Sequence, residues 1–527
     1  MPADDACREA AMDLGELINA ANARCVRGDP AGVRVCDITE DSRTAVPGSL
    51  FIARRGLTHD GRAHAAAAVE CGAVAVLTDD PEIELGRFPG ADPCVVLADD
   101  VALAGARAAE RFYGEPSSKL ALVAVTGTNG KTSVAHLVHQ ILNHAGMRCG
   151  LVGTVEIDDG REVAAASMTT PPATELSRTL ATMVDAGCRA CAIEASSHAL
   201  DQRRCDGLAI DVGVFTNLTG DHQDYHETMD AYAAAKRRLF EMIPADGVGV
   251  FNEADPAGAS MASAMPAGAS RRWCAPGEGD WSVRVTDASL DGLTLEIGTP
   301  AYAVRGRTRL IGAHNAMNTL EAIAAADALL ERAGLDVGQR EREIAAALPT
   351  LHAPTGRLER VAPSDLGPHV FVDFAHTDDA LRAALESARR IVPEGGALCV
   401  VFGCGGVKDT SKRPRMGAVA ESLADRVVVT SDNPRTEPPN KIIDQVLAGM
   451  TADARQRAHV HADRRAAIAA AIAEAGERDV IVIAGKGHER EQEVAAIDGG
   501  VMRLPFDDVH EARAALRERR LRAGSPA

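Results

Sequence analysis

The chain has 527 residues, which is too long for a single hydrophobic core and predicts about three domains. Its net charge of −19 argues against a nucleic-acid-binding protein, because such proteins usually carry a basic patch. No apolar run approaches the roughly 18 residues of a membrane span, and residues 1–5 lack the basic and apolar regions of a signal peptide. We therefore expect a cytoplasmic enzyme that binds no nucleic acid and is not inserted in a membrane. A monomer is expected as well, although nothing in the composition argues for an oligomeric state.

The cysteines are consistent with that compartment. All 12 are scattered without a disulfide framework, which indicates reduced thiols. Cys188 and Cys191 have the spacing of a metal or redox pair, but they lie in an apolar stretch with no second pair. We interpret them as buried and inert.

The first 116 residues show a mixed α/β pattern. Helical periodicity over residues 8–21 is followed by short strand-like pieces, at residues 33–38, 50–53, 74–78 and 94–97. Residues 113–118 contain the Gly, Pro and Ser residues that are typical of a linker. We therefore place the first domain at residues 1–116.

From residue 117 to 352, strands and helices alternate, which predicts a parallel sheet covered by helices. A strand at residues 122–125 and a helix at residues 133–142 flank the sequence Gly127-Thr128-Asn129-Gly130-Lys131-Thr132-Ser133. Backbone N–H groups of such a loop cradle phosphates, the lysine adds positive charge, and the threonine hydroxyl can bind Mg²⁺. A standard P-loop would have Gly at position 125, where this chain has Val, so the loop is of a shortened kind.

Polar residues follow the next two strands of this domain. Glu194 ends a strand beside the phosphate loop, where a carboxylate can hold Mg²⁺. Ser197 and His198 lack the Gly-x-Ser-x-Gly context of a hydrolase. His and Asp residues at 221–226 suggest a second cation site or a substrate contact. Lys236 lies on a helix, where the residue pattern alone predicts a solvated side chain.

Two further features precede the last part of the chain. Residues 281–311 alternate polar and apolar side chains, which predicts a small antiparallel insert, and residues 318–332 form a strong helical pattern. Residues 353–527 then alternate strands and helices again, which predicts a second doubly wound domain. Polar and glycine-rich clusters follow its strands, at Asp373 and His376, 403–406, 432–435 and 485–489. Because parallel strands end at one edge of a sheet, we expect these four clusters to form a site.

The order of these motifs resembles that of the Mur ligases, the ATP-dependent amide-forming enzymes of peptidoglycan precursor synthesis. The segments that carry the resemblance span most of the chain, at residues 126–132, 169–172, 194–198, 216–222, 312–318 and 373–377. The resemblance implies three α/β domains: one for a uridine nucleotide-sugar (1–116), a P-loop ATPase-like central domain with a parallel sheet (117–352), and a Rossmann-like domain for an amino acid (353–527). It implies that meso-diaminopimelate is added to UDP-N-acetylmuramoyl-L-alanyl-D-glutamate at the expense of ATP.

The resemblance also implies roles for individual residues. Lys131 and Thr132 would bind ATP phosphates and Mg²⁺, together with the rest of the loop from Gly127 to Ser133. Glu194 would hold one Mg²⁺ and His222 a second, helped by Lys236 if it is carbamylated. The other nucleotide contacts would be Asn318, Arg357 and Asp373. The contacts to the nucleotide-sugar would be Ser42, Thr169, Thr170, Ser197, Gln202 and Arg204.

For the amino acid, the resemblance implies contacts from Lys408, Asp432, Asn433, Pro434, Arg435, Gly485 and Glu489. An arginine at position 435 is typical of the family members that use diaminopimelate, whose distal carboxylate a guanidinium can bind bidentately. Lys408 stands where those members commonly have an arginine. Three alternatives stay open: a lysine-adding ligase of this family, a folylpolyglutamate-synthetase-like enzyme with the same short P-loop, and a catalytically inactive nucleotide-binding scaffold.

Overall fold

The structure is a computed structural model, and it describes residues 11–56, 59–85, 92–220, 223–361, 367–407, 409–497, 499–522 and 524. The chain divides into two compact units. Unit 1 comprises Met1–Lys131, Leu142–Arg272 and Ala325–Ala333, and unit 2 comprises Thr132–Ile141, Trp273–Ala324 and Gly334–Ala527. No helix of the described residues is long and apolar enough to cross a membrane.

The N-terminal part of unit 1 is built on a mainly parallel sheet. Its strands lie in the order Arg24–Arg27, Cys94–Leu97, Ala75–Thr78, Ser49–Ile52 and Asp37–Thr39, with only the first pair antiparallel. Met12–Asp13 pairs separately with Arg34–Val35. The helical segments are Leu14–Ala21, Gly61–His64, Ala65–Glu70, Val101–Phe112 and Pro116–Lys119. Buried apolar residues cover both faces of the sheet.

The described part of this region differs from the sequence prediction at two points. The first helix begins at Leu14, capped by Asp13, and residues 12–13 are extended; the predicted positions 8–10 lie outside the described residues. The segment predicted as a linker is packed, because buried Glu110 accepts hydrogen bonds from the Ser117 amide and hydroxyl and from Ser177.

The second sheet of unit 1 carries the predicted phosphate loop. Its strands lie in the order Val163–Ala165, Glu156–Asp158, Cys149–Val152, Ala190–Glu194, Ala121–Thr126, Val212–Phe215 and Val248–Asn252. The last five are mutually parallel, and the first two form an antiparallel hairpin that the sequence did not predict. The helices of this part of the chain are Lys131–His144, Ala173–Asp185, Ser197–Asp201, Gln223–His226, Met229–Glu241 and Gly258–Ala262, and the first of them contributes Thr132–Ile141 to unit 2. Cys188 and Cys191 are buried free thiols, as predicted.

The second segment of unit 2 contains the antiparallel insert predicted over residues 281–311. Trp281–Ser289, Gly292–Gly298 and Ala303–Arg307 pair in succession, and Ser270–Pro276, which enters from unit 1, runs parallel to the first of them. The helix His314–Arg332 follows, then Val337–Ala347 and a short 3₁₀ turn, Leu348–Thr350.

The rest of unit 2 is the predicted doubly wound sheet. Its strands lie in the order Glu359–Arg360, His369–Asp373, Val480–Ala484, Leu398–Phe402, Arg426–Thr430 and His459–His461, with only the first antiparallel to its neighbour. The helices are Asp378–Arg389, Lys412–Leu423, Pro439–Leu447, Ala452–Arg457, Arg464–Glu474 and Asp508–Arg522. Apolar clusters fill both faces. A separate hairpin, Glu491–Ala495 with Val501–Pro505, was not predicted.

Candidate active site

The glycine-rich loop connects the central strand Ala121–Thr126 to the helix that begins at Lys131. Gly127 has a φ of +148°, and a Cβ there would lie 1.9 Å from the Thr216 hydroxyl oxygen. The loop is braced by the segment after the neighbouring strand: the Thr128 amide donates to the Asn217 carbonyl (2.8 Å) and the Asn129 amide to the Asn217 side chain (2.9 Å). A fixed backbone of this kind suits a phosphate cradle.

Two lysine side chains converge on this loop. The Lys131 ammonium donates to the carbonyls of Gly127 (2.8 Å) and Thr128 (2.9 Å). Lys236 Nζ donates to the same Gly127 carbonyl at 2.8 Å and lies 4.2 Å from the centroid of the Tyr232 ring. Lys236 is 1% exposed, so the solvated side chain predicted from its helical position is wrong. Its helix packs this face against the P-loop, which single-helix reasoning cannot detect.

Glu194 ends the strand that pairs with the P-loop strand, in register with Val125. Its side chain is completely buried, and the Thr154 amide (2.7 Å) and hydroxyl (3.0 Å) each donate to one of its oxygens. A Cβ at Gly153 would lie 2.5 Å from Glu194 Oε1, so glycine is needed for this approach. The carboxylate is thereby held at the strand end beside the loop.

The His- and Asp-rich segment after Thr219 is described in part. Asp221 and the predicted metal ligand His222 lie outside the described residues. His226 is buried among aromatic rings, with centroids 4.6 Å from Tyr225, 5.2 Å from Tyr232 and 5.5 Å from His198.

Several residues predicted to bind the nucleotide-sugar lie together in unit 1. Arg204 donates to the Thr170 carbonyl (2.7 Å) and to the Gln202 side chain (2.8 Å). Burial, and secondly the positive charge of Arg54, lower the pKa of Arg204. The Thr170 hydroxyl donates to the Glu194 carbonyl at 2.6 Å, which connects this group to the strand end.

The other three residues of that set are arranged differently. The hydroxyl oxygens of Thr169 and Thr154 are 3.1 Å apart, and buried Ser197 begins a short helix. Ser42 lies in the turn that follows the strand Asp37–Thr39 of the N-terminal sheet, between Asp41 and Arg43, which form an exposed ion pair of 2.6 Å. The Arg43 guanidinium lowers the pKa of Asp41 to about 2.

Three predicted nucleotide contacts lie in unit 2. The carboxylate of Asp373, at the end of its strand, accepts from the amides of Leu358 (2.7 Å) and Ala375 (2.8 Å). Burial raises its pKa, against the opposing effect of the Arg357 charge. Arg357 donates to the Thr132 hydroxyl at 3.3 Å and stacks 4.8 Å from the Phe374 ring centroid. Asn318 is buried and donates to the Asn315 side chain at 2.8 Å.

At the carboxyl edge of the unit 2 sheet, the clusters 432–435 and 485–489 meet, as predicted. Lys486 is completely buried and donates to Asn433 Oδ1 and Glu489 Oε2, each at 2.9 Å. The side-chain amide nitrogen Nδ2 of Asn433 donates to the same Glu489 oxygen at 2.8 Å. Burial would raise the pKa of Glu489, but Lys486 and Asn433 outweigh it and the pKa is lowered. An anchored carboxylate of this kind can receive an ammonium group.

Asp432 lies beside this network. A Cβ at Gly485, which has a φ of +121°, would lie 3.4 Å from Asp432 Oδ2. Burial raises the pKa of Asp432, against the charges of Arg464 and Lys486. Its Oδ1 has no hydrogen-bond partner among the described residues, and Lys486 Nζ is 4.0 Å away.

Arg435, which follows Pro434, has a left-handed backbone with a φ of +53°. Its Nε is 2.8 Å from Glu493 Oε2, and its Nη1 donates to the Gly406 carbonyl at 2.9 Å. Lys408, predicted to contact the amino acid, lies outside the described residues.

The sequence interpretation missed several residues of this edge. Lys486 was included in the cluster 485–489 but was given no role of its own, although it lies between the predicted contacts Gly485 and Glu489. Glu493 and Gln492 belong to the unpredicted hairpin. Arg464, whose buried ion pair with Asp508 (2.7 Å) lies under the strand ends, had no signal in its helical pattern.

Comparison with known proteins identifies this arrangement. Residues 35–111 match the model of the Mur ligase family catalytic domain, residues 125–326 that of the Mur ligase middle domain, and residues 356–487 that of the Mur ligase glutamate ligase domain. The three matches cover more than half of the chain, in the order of the three predicted domains. The chain belongs to the Mur ligase family.

Relatives within the family match along nearly the whole chain. A protein of Chlorobaculum tepidum is 40% identical over 495 residues, which cover 92% of this chain and 94% of the relative. A protein of Synechococcus elongatus is 41% identical over 512 residues, which cover 96% and 99%. Both are named UDP-N-acetylmuramoyl-L-alanyl-D-glutamate--2,6-diaminopimelate ligase. A solved structure with that name is 33% identical and aligns with a TM-score of 0.65 over 92% of this chain and 95% of the other.

Proposed function

We propose that this chain is an ATP-dependent ligase that joins meso-diaminopimelate to the D-glutamyl carboxylate of UDP-N-acetylmuramoyl-L-alanyl-D-glutamate, in the cytoplasm, for peptidoglycan precursor synthesis. The three domains are proposed at residues 1–116, 117–352 and 353–527, and the active form as a monomer. The observation that carries the amino-acid choice is the fixed guanidinium of Arg435 beside the Asn433–Lys486–Glu489 network. The names of relatives about 40% identical over most of the chain support the same reaction.

A carboxylate does not react with an amine at neutral pH, so it must first be activated. A carboxylate oxygen attacks the γ-phosphorus of ATP, and the bond from this phosphorus to the β,γ-bridging oxygen breaks. ADP departs, and the carboxylate has become an acyl phosphate. The amine then attacks the acyl carbon, loses a proton, and inorganic phosphate departs. The protein contributes positioning, charge neutralisation and exclusion of water from the acyl phosphate.

The phosphate loop supplies the first part of that contribution. The backbone amides of residues 127–130 and the Lys131 ammonium are positioned for ATP phosphates. Because Lys131 donates to two loop carbonyls in this structure, its ammonium is already at the loop before a nucleotide arrives. Asn318, Arg357 and Asp373 are proposed as contacts to the rest of the nucleotide.

Mg²⁺ fits the carboxylate that lies at the strand end beside the phosphate loop. Mg²⁺ prefers oxygen ligands and is usually held by one or two carboxylates together with phosphates and water. Glu194 offers one such carboxylate, completely buried and oriented by Thr154. When bound, Mg²⁺ would offset the negative charge of the phosphates. Thr132, His222 and Lys236 are proposed as the other ligands.

Lys236 requires a chemical change for that role, because an ammonium cannot bind a cation. We propose that its amine, once deprotonated, attacks CO₂ to form a carbamate, with loss of a proton. The side chain would then be an anion. The buried environment under Tyr232, shielded from bulk water, supports a modified lysine here.

The two ends of the amino acid meet different groups. The distal carboxylate of diaminopimelate is proposed to bind Arg435, and an ammonium group to bind Glu489 beside Gly485. L-Lysine lacks that carboxylate, so the Arg435 guanidinium would have no anionic group of the substrate to bind, which disfavours lysine as the substrate. The nucleotide-sugar is proposed to contact Ser42, Thr169, Thr170, Ser197, Gln202 and Arg204.

The test is phosphate release from Mg-ATP and the UDP-linked dipeptide, with meso-diaminopimelate and L-lysine in parallel. We expect release with diaminopimelate only. Release with lysine alone would keep the ligase but overturn the role given to Arg435. No release with either amino acid would overturn the proposed reaction, and release with a folate and glutamate would support the folylpolyglutamate-type alternative.

A further inference from the structure

The hairpin Glu491–Ala495 with Val501–Pro505 is bonded to the segment that carries Arg435. Gln492 Nε2 donates to the Asp432 carbonyl at 2.7 Å and to the Ser431 hydroxyl at 3.2 Å. The Glu493 amide donates to Asn433 Oδ1 at 3.0 Å, and the Arg435 amide donates to the Glu493 carbonyl at 2.9 Å. One strand of the hairpin therefore contacts the segment 431–435 along its length.

The hydrogen bond from the Arg435 amide to the Glu493 carbonyl supports an unfavourable backbone conformation of Arg435. Arg435 has a φ of +53°, a left-handed conformation that costs a non-glycine residue about 1–2 kcal/mol. The hydrogen bond to the Glu493 carbonyl compensates for part of this cost and holds the conformation in place. The backbone direction of Arg435, and with it the direction of its side chain, depends on the hairpin.

The Glu493 side chain then restrains the guanidinium. Its Oε2 is 2.8 Å from Arg435 Nε, while Gly406 accepts from Nη1 at 2.9 Å. Nη2 of Arg435 has no partner among the described residues. Two of the three guanidinium nitrogens are thus engaged by the protein, and the third is left for a ligand.

The charge balance is compatible with an anionic ligand. Glu493 alone would repel a carboxylate, but its other oxygen is 3.7 Å from Arg503 Nε, on the second strand of the hairpin. Arg503 also lies 3.6 Å from Glu491, so the four side chains together carry no net charge, and a carboxylate that binds Arg435 does not meet an excess of negative charge.

We propose that Glu493 is a positioning residue that sets the specificity for diaminopimelate by holding the Arg435 guanidinium ready for the distal carboxylate; this rests on the proposed function. A free arginine side chain has many rotamers, and ordering it upon binding costs affinity. Glu493 removes most of that cost in advance. Glu493 contacts no reacting atom, and its effect reaches the substrate through Arg435 alone.

The test compares Glu493→Gln, Glu493→Asp and the matched control Glu491→Gln in the full-length enzyme. Glu491 lies on the same strand, and its exposed side chain pairs with Arg503 at 3.6 Å, so this variant removes a neighbouring carboxylate and leaves the pair of Arg435 and Glu493 in place. We measure kcat and KM for meso-diaminopimelate and for ATP, and the rate with L-lysine. Glu493→Gln should raise the KM for diaminopimelate by about tenfold while the KM for ATP stays within twofold. Glu493→Asp should recover part of the loss, and Glu491→Gln should behave as wild type.

The outcomes separate the two proposals. A wild-type enzyme that does not use diaminopimelate overturns the proposed function, and the role of Glu493 with it. If the wild type is active but Glu493→Gln keeps the wild-type KM for diaminopimelate, only the role of Glu493 is overturned. The same holds if the variant has a lower kcat and raises both KM values to the same extent. A lower KM in Glu493→Gln would mean that Glu493 competes with the carboxylate, which also contradicts the proposal.

Discussion

Lys131 and Lys236 donate to the same acceptor, the carbonyl oxygen of Gly127, each at 2.8 Å. Two cationic side chains, from helices that begin about a hundred residues apart in the chain, are thereby held at one point of the phosphate loop. Two ammonium groups this close repel each other, and bound phosphate or a change in the charge of Lys236 would relieve the repulsion. The arrangement makes separate predictions for the two lysines.

Replacement of Lys131 by alanine should abolish catalysis with every amino acid. The variant loses the positive charge that offsets the charge of the transferred phosphoryl group, and removal of one such group typically costs at least about 100-fold in rate. Phosphate release with saturating substrates measures the loss. Lys119→Ala, at an exposed position of unit 1, is the control and should keep full activity. A Lys131→Ala enzyme with more than a tenth of the wild-type rate would contradict the role.

Replacement of Lys236 by arginine should also inactivate the enzyme, although the charge of the unmodified side chain is kept. Arginine stays protonated and cannot form a carbamate. Wild-type activity should fall on exhaustive degassing and return with bicarbonate, and the variant should not respond. Arg237→Ala, on the exposed side of the same helix, should respond as wild type does. An active Lys236→Arg enzyme would exclude the carbamate.

Gly127→Ala should destabilise the fold more than Gly146→Ala, because an added Cβ at Gly146 would have no neighbouring atom within 4 Å. A Cβ at Gly127 would meet the Thr216 hydroxyl at 1.9 Å, in addition to the strain of a φ of +148°. At Gly146, φ is +75° and nothing lies within 4 Å of the new Cβ, so only strain applies. We expect losses of about 2–4 kcal/mol at Gly127 and about 1 kcal/mol at Gly146 in urea unfolding. Equal losses would mean that the loop rearranges without cost.

These residues also illustrate what the sequence could predict. Glu194 could be placed beside the phosphate loop because parallel strands end at one edge of a sheet, and the structure aligns it with Val125. Lys236 could not be recognised as buried, since the face that its helix presents depends on packing against a segment far away in the chain. The hairpin that carries Glu493 was missed because Glu491–Ala495 is polar and lacks a regular buried face.

Arg435→Ala should raise the KM for diaminopimelate by about 10- to 100-fold, because each charge-assisted hydrogen bond contributes about 1.5–3 kcal/mol. The KM for ATP should not change, since Arg435 is not among the residues proposed to contact the nucleotide. Steady-state kinetics with each substrate varied in turn make the measurement. Arg465→Ala is the control: its side chain is 65% exposed and pairs with Glu511. Unchanged kinetics with diaminopimelate in the Arg435 variant would refute the specificity argument.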